Sequence, residues 1–305
     1  MKSSESVVKG RFAPSPTGRM HLGNIFTALI SRLSAKSSGG RWVLRIEDLD
    51  PQRSRLEYAR QIEDDLLWLG LEWDEGGIAD GYLQSRRHSL YEKALARLEA
   101  TGLTYPCYCT KADILATQAP HASDGRVIYP GTCRGRKPGD SDAPHSVRLI
   151  VPDREIAFTD AIFGDRSINL ARECGDFVLR RADGAWAYQL AVVVDDAEMG
   201  ISEVVRGCDL LDSCAQQIYL CSLLGYEPPR YIHLPLICNS DGIRLGKRDA
   251  SLSMAALRRD FTPRQLIGRL AAMAGIIEKE RPMSADELLE EFAIGRIAKT
   301  ERIIC

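Results

Sequence analysis

The sequence predicts an α/β fold built on a doubly wound, largely parallel sheet. Three observations carry that reading. Residues 1–70 alternate β-prone runs with helix-periodic ones. The first two β-prone runs each leave through a loop rich in Pro, Gly or carboxylates, with no hairpin signal. A stretch of Pro, Gly, Cys and His then interrupts the pattern before strands and helices resume. Strands joined through helices pair in parallel with right-handed crossovers. Open sheets of this kind bind ligands at the carboxyl ends of their strands.

The elements follow in order. Residues 7–12 read as the first strand, broken at 13–18, Ala-Pro-Ser-Pro-Thr-Gly, because proline fixes φ and carries no N–H. Leu22, Ile25, Phe26, Leu29, Ile30 and Leu33 then share one helical face, and Gly39-Gly40 stops the helix. Residues 42–46 read as the second strand, with Glu47-Asp48-Leu49-Asp50-Pro51 as its exit loop. A second helix carries Tyr58, Ile62, Leu66 and Leu69, and Gly70 closes it. From Cys107 to about Ser146 periodicity is lost, which predicts a small unit held by something other than a core. Residues 146–169 read as short strands, 176–180 and 186–194 as further strands, and 212–224 as a helix. The tail over 261–297 is expected to be mostly helical, burying Leu266, Leu270, Met273 and Ile276. The expected organisation is a catalytic first half over 1–105, an insert over 106–175, a second half over 176–250 and a helical C-terminal part over 251–305.

Composition narrows the classes. Hydrophobic residues are 45% and charged residues 27% of the 305, which is globular and not disordered. Forty Lys and Arg face 42 Asp and Glu, so a uniformly basic nucleic-acid coat is excluded and a local basic patch is not. The apolar run at 190–194 is far short of a membrane span of about 20 residues. The N-terminus lacks the apolar core of a signal peptide. Nine cysteines, an odd number, favour free thiols in a reducing, cytoplasmic setting.

The first turn carries the strongest chemistry. In Arg11-Phe-Ala-Pro-Ser-Pro-Thr-Gly-Arg-Met-His-Leu-Gly-Asn24 a strand ends and a helix opens near His21. A helix N-terminus offers unpaired N–H groups and the positive end of the dipole, a ready phosphate site. Gly18 and Gly23 allow close approach to a ligand, and His21 can donate to a phosphate oxygen. The string resembles the first signature of class I aminoacyl-tRNA synthetases. With Arg-Ile-Glu-Asp-Leu-Asp at 45–50 it is similar to the glutamate and glutamine branch, and the likeness continues through Tyr-Gln-Leu at 188–190 and Val-Val-Arg-Gly at 204–207.

That resemblance implies a Rossmann-like catalytic domain, a zinc-bearing insert and a short helical tail. It implies ATP with Mg2+ as substrate and His21, Asn24 and Lys247 as catalytic residues. Gly18, His21, Gly23, Asn24, Arg244 and Lys247 would contact ATP. Asn24 stands where many relatives have a second histidine, so it can donate a hydrogen bond without carrying charge. Gly242-Ile-Arg-Leu-Gly-Lys247 is not a P-loop, since its glycines are too close and Arg248 follows the lysine. It resembles the second class I signature, with Arg244 for the first lysine and Gly246 for the serine.

The resemblance assigns Arg11, Ala13, Ser15, Glu47, Tyr188 and Arg206 to an L-glutamate pocket. The chemistry agrees: two guanidiniums can hold two carboxylates in planar forks, and Glu47 can match the ammonium. In the insert, Cys107, Cys109 and Cys133 supply three thiolates of moderate zinc specificity. General zinc chemistry nominates His121 as the fourth ligand, whereas the resemblance nominates Tyr129, so one structural Zn2+ is expected with either. The remaining cysteines, Cys174, Cys208, Cys214, Cys221 and Cys238 among them, read as packed thiols. The sequence runs to Cys305, and no separate anticodon-binding domain like that of discriminating glutamyl-tRNA synthetases is expected. Short members of the branch place glutamate on the queuosine base of tRNA(Asp), so that acceptor is expected, for a monomeric enzyme that activates glutamate without tRNA. The alternatives are a truncated synthetase charging the 3′ end of tRNA(Glu) and an inactive RNA-binding paralogue.

Overall fold

The computed structural model describes residues 7–116, 128–137, 139, 141–239 and 252–304. Strand β1 (Lys9–Phe12) leads into α1 (Leu22–Ser37), then β2 (Arg41–Leu44), α2 (Leu56–Trp68), β3 (Glu75–Gly76) and α3 (His88–Ala100). Next come β4 (Thr104–Cys107), α4 (Lys111–Ala116), β5 (Ser146–Leu149), β6 (Glu155–Asp160), β7 (Gly164–Asn169), α5 (Leu170–Glu173) and β8 (Phe177–Arg180). The remainder is α6 (Tyr188–Glu198), β9 (Glu203–Gly207), α7 (Ser213–Leu224), β10 (Arg230–Leu234), β11 (Leu236–Cys238), α8 (Met254–Asp260), α9 (Pro263–Met273) and β12 (Arg302–Ile304).

Among the described residues, seven strands form the large sheet in the order β3-β2-β1-β9-β10-β6-β7. Every neighbouring pair is parallel except β6 with β7, which closes the edge as an antiparallel hairpin. The sequence moves outward one way from β1 through β2 and β3 and the other way through β9 and β10. The point of reversal lies between β1 and β9, where a doubly wound sheet opens a crevice at its carboxyl edge. A separate sheet, β4-β5-β8, is antiparallel. β6 and β7, inside the interval 106–175, join the large sheet.

Helix α1 covers the crevice strands because its apolar residues recur at helical spacing. Leu22, Ile25, Phe26, Leu29, Ile30 and Leu33 are all buried, each contributing roughly 1.5–3 kcal/mol of transfer free energy. Its exit needs both expected glycines. Gly39 adopts φ +66°, and a Cβ on Gly40 would lie 2.3 Å from the Val8 carbonyl oxygen.

Two expectations are corrected. Residues 186–194 were expected as a strand, but Tyr188–Glu198 is the helix α6. Its run of Leu190, Ala191, Val192, Val193 and Val194 is buried all round, so no amphipathic period marks it, and packing overrides the β preference of valine. The tail is helical only through α9, which Gly275 ends at φ +78°. Beyond it the described chain makes short 3-10 turns at Glu287–Glu290 and Ile294–Arg296, then β12, which pairs with β11. Leu266, Leu270 and Ile276 are buried as expected, and Met273 is half-buried against the same core.

Candidate active site

A cavity of about 440 Å³ opens at the switch point. Arg11, Ala13 and Ser15 reach it from the end of β1, and Gly18, His21, Gly23 and Asn24 from the turn into α1. Glu47 enters from the loop after β2, Tyr188 from the start of α6 and Arg206 from β9. Ten residues expected to bind glutamate or ATP thus line one space. Arg244 and Lys247, and the rival zinc ligand His121, lie outside the described residues. The flank of that 240–251 segment is nonetheless placed at the site, since Ser253 bridges to His21 and Met254 N donates to the Met20 carbonyl at 3.0 Å.

The end of the cavity formed by the turn into α1 is a capped helix. His21 is the N-cap of α1; its Nδ1 accepts the Gly23 N–H at 3.2 Å, while its own N–H donates to Asn24 Oδ1 at 3.0 Å. With Nδ1 used as an acceptor, the neutral ring carries its proton on Nε2. Asn24 therefore builds the cap as well as lining the cavity. Gly23 leaves room for the ring, because a Cβ there would stand 3.2 Å from His21 Cε1.

The other end is a buried charge array. Arg45, wholly buried, donates through Nη2 to Glu47 Oε1 at 3.1 Å and through Nη1 to Asp196 Oδ1 at 2.6 Å. Arg11 Nε reaches the same Asp196 oxygen at 3.4 Å, and its Nη1 donates to the Val205 carbonyl at 3.3 Å. Arg11 Nη2 has no hydrogen-bond partner among the described residues. Asp195 collects Arg87 Nε at 2.6 Å, Gln84 Nε2 at 2.7 Å and the Tyr91 hydroxyl at 2.8 Å. Burial raises the Glu47 carboxyl above its ordinary value, against the pull of Arg45 and Arg11. Burial works the same way on Asp196, but Arg45 and Arg11 outweigh it and the net direction is down.

Arg206 differs from these. It is 5% exposed and makes no ion pair among the described residues. Its donors go to His233 Nε2 at 2.9 Å, Gln217 Oε1 at 2.9 Å, the Tyr188 hydroxyl at 3.4 Å, the Leu210 carbonyl at 3.2 Å and Cys214 Sγ at 3.2 Å. A desolvated guanidinium surrounded by neutral acceptors favours an anion in the cavity it faces. Cys214 is a packed thiol as expected, fully buried, and it backs Arg206 from behind the cavity.

A second cavity of about 530 Å³ adjoins the first and shares Ser15, Thr17, Glu47 and Tyr188 with it. It continues past Asp50, Arg53, Arg181 and Asp183 to Trp186.

The cysteine cluster sits at the end of β4. The sulfurs of Cys107, Cys109 and Cys133 lie within 4.8 Å of one another. Tyr129 brings its hydroxyl oxygen 3.4 Å from Cys107 Sγ and 3.7 Å from Cys109 Sγ, and accepts the Cys133 N–H at 2.8 Å. The Arg148 guanidinium lies 3.9 Å from the centre of the Tyr129 ring. Three sulfurs and one oxygen converging on one point fit a tetrahedral metal.

Arg45, Asp195, Asp196, Gln217 and His233 had not been expected at the site. The available signal was an ionisable residue inside an apolar strand: Arg45 in Trp-Val-Leu-Arg-Ile and His233 in Tyr-Ile-His-Leu.

This crevice, with a histidine-capped helix on one side and buried arginines on the other, belongs to a known class. A family model for the catalytic domain of class I tRNA synthetases (E and Q) matches residues 7–303, and the chain belongs to that family. The chain is 48% identical over 305 residues to a glutamyl-Q tRNA(Asp) synthetase of Symbiobacterium thermophilum, covering 95% of this chain and 94% of that one. It is 46% identical over 284 residues to the protein of that name from Nitratidesulfovibrio vulgaris, covering 89% and 87%. A glutamate tRNA ligase from Elizabethkingia meningosepticum, solved in complex with its amino acid, is similar in structure with a TM-score of 0.83 at 30% identity, over 98% of this chain and 67% of that one.

Proposed function

We propose that the chain activates L-glutamate with ATP, without tRNA, and transfers the glutamate to queuosine at the wobble position of tRNA(Asp). The observation that carries the amino-acid half is Arg206, a buried cation with no carboxylate partner among the described residues, facing a cavity whose other wall holds Glu47. Glutamate brings two carboxylates and one ammonium to these groups and to Arg11. The acceptor half rests on the similarity to the glutamyl-Q tRNA(Asp) synthetases.

The glutamate α-carboxylate attacks the α-phosphorus of ATP, an O–P bond forms, and the bond to the departing pyrophosphate breaks. His21 Nε2–H and the N-terminus of α1 stabilise charge growing on the phosphates, and Lys247 adds a cation from the second signature. Magnesium enters with ATP and supplies further charge neutralisation. An acceptor hydroxyl then attacks the glutamyl carbonyl and AMP leaves. The second cavity, meeting the first at Glu47 and Tyr188, is the entrance we assign to that acceptor.

The cysteine cluster would hold one structural zinc, with Tyr129 as the fourth ligand. Bound there, zinc supplies a cross-link between β4 and the segment 128–137, which has little core of its own.

The test is exchange of labelled pyrophosphate into ATP, driven by glutamate in the absence of tRNA. Exchange with glutamate and little with glutamine is expected. No exchange with either amino acid overturns the reading and leaves an inactive RNA-binding paralogue.

A further inference from the structure

Arg206 and His233 are register partners on the parallel strands β9 and β10. Arg206 Nε lies 2.9 Å from His233 Nε2. A guanidinium has donors and no acceptor, so Nε2 must be the bare nitrogen of the ring. The ring proton then sits on Nδ1, 2.7 Å from Asp160 Oδ2. Asp160 is itself fixed: Oδ2 also accepts the backbone N–H of His233 at 3.0 Å, and Oδ1 accepts those of Ile162 and Phe163 at 2.9 Å each. Asp160 and His233 are as deeply buried as Arg206. Burial raises the Asp160 carboxyl, but the donors from His233, Phe163 and Ile162 outweigh it and hold the group ionised. Burial lowers the His233 value and Arg206 adds to this, against Asp160, so the ring stays neutral.

The array therefore runs anion, neutral imidazole, cation. Its consequence concerns selectivity. A carboxylate bonded directly to Arg206 would quench its charge and let the cavity accept an amide. A neutral imidazole in between fixes the guanidinium and leaves it, at the cavity it lines, without a carboxylate counter-ion among the described residues. We propose that His233, held by Asp160 as the Nδ1–H tautomer, is the positioning residue of Arg206 and sets the preference for a carboxylate over an amide in the ligand. The inference rests on the glutamate reading of the cavity.

Two variants separate the bonds. In His233→Asn the short amide can still donate to Asp160 but cannot reach Arg206; in His233→Gln the longer amide oxygen takes the place of Nε2. His233→Asn is expected to raise the glutamate KM in pyrophosphate exchange by about tenfold or more, the scale of a lost hydrogen bond to a charged group, with the ATP KM little changed. His233→Gln should recover part of that loss. Equal loss for both substrates in both variants would show a general packing role and overturn the proposal. A readout independent of activity is the two-bond 15N–1H spectrum of the histidine rings in the wild-type protein, assigned by the signal that vanishes in whichever variant folds. A neutral Nδ1–H pattern for His233 is expected, and an Nε2–H or doubly protonated ring overturns the proposal even if glutamate exchange is normal. Absence of glutamate exchange in the wild type, with the Nδ1–H tautomer present, overturns the glutamate reading instead.

Discussion

Arg45 Nη1 lies 2.6 Å from Asp196 Oδ1, and through this contact the loop after β2 is tied to the last turn of α6. The same guanidinium holds Glu47, and the same carboxylate holds Arg11. Two residues expected to bind glutamate are therefore oriented by a pair that need not touch the ligand. Arg45→Met should cost about 3–5 kcal/mol of stability, since it removes the hydrogen-bonded buried cation of Glu47 and leaves Asp196 only the longer contact with Arg11. It should also raise the glutamate KM more than the ATP KM. Denaturant unfolding and exchange kinetics on the variant check both; an unchanged glutamate KM in folded protein would remove Arg45 from the pocket's support.

Glu47 gives a pH dependence of defined sign. Burial raises its carboxyl above the ordinary 4.5. A raised carboxyl in the folded state means that its favourable contribution to stability is present below 4.5 and is lost as pH rises through the folded value. Activity runs the other way, because holding an ammonium requires the anion. As pH falls, kcat/KM for glutamate should decline at a pH above that of an unperturbed glutamate side chain. Glu47→Gln should lower activity throughout and flatten that limb. A wild-type limb unchanged in Glu47→Gln would assign the titration elsewhere.

The rim of the site was legible because it lies where chemistry shows in sequence. A Pro-rich turn at the end of β1, a helix opening at His21 and a carboxylate loop after β2 are local patterns, and the sheet topology brings them together. The supporting wall was not legible in the same way. Arg45, Asp196 and His233 act across 27 to 185 residues of chain, so nothing beside them in sequence reports their partners. Helix α6 was misread for a related reason: a segment buried on every side has no polar face to reveal its period.

Gly23→Ala should separate stability from activity. Gly23 lies in the first turn of α1, where alanine's helix preference, about 1 kcal/mol in a helix interior, is offset by strain on the His21 cap, so the stability should change little. The added Cβ would stand 3.2 Å from His21 Cε1 and 3.3 Å from Nδ1, crowding the ring proposed to meet the phosphates. Adenylate formation should fall about tenfold or more. A thermal midpoint close to the wild type, together with reduced exchange, is the expected pair of results; unchanged exchange would show that the ring position is not used.

The metal prediction concerns the ligand set. One zinc per chain should be found by elemental analysis of the purified protein. Cys107→Ser and Tyr129→Phe should lose it more readily to a chelator, and His121→Ala should not. The convergence of the Tyr129 oxygen on the sulfurs motivates the choice. Zinc release in His121→Ala alone would reverse the assignment, and metal-free protein of full stability would make the cluster a set of packed thiols.

The acceptor is the last prediction, and the joined cavities shape it. With the adenylate proposed to lie in the first cavity, between His21 and Arg206, the acceptor is expected to enter through the second, past Glu47 and Tyr188. That entrance carries Asp50, Arg53, Arg181 and Asp183, a mixed-charge rim able to accept hydrogen bonds from hydroxyls and to donate to phosphates. Queuosine offers a cyclopentenediol whose hydroxyls can stand where the terminal ribose hydroxyls of a charged tRNA would stand. An anticodon stem-loop presents a short A-form helix with exposed bases, and proteins read such RNA by shape, backbone and loop contacts. Labelled glutamate should therefore become attached to queuosine-containing tRNA(Asp) through an alkali-labile ester on the wobble nucleoside. Periodate oxidation of the diol should block acceptance, and removal of the 3′-terminal adenosine should leave it intact. Asp183→Asn and Arg181→Ala should weaken transfer while leaving tRNA-free pyrophosphate exchange within about twofold of the wild type, because they line only the second cavity. Equal charging of tRNA(Glu) at its 3′ end would overturn the acceptor assignment and leave a truncated glutamyl-tRNA synthetase.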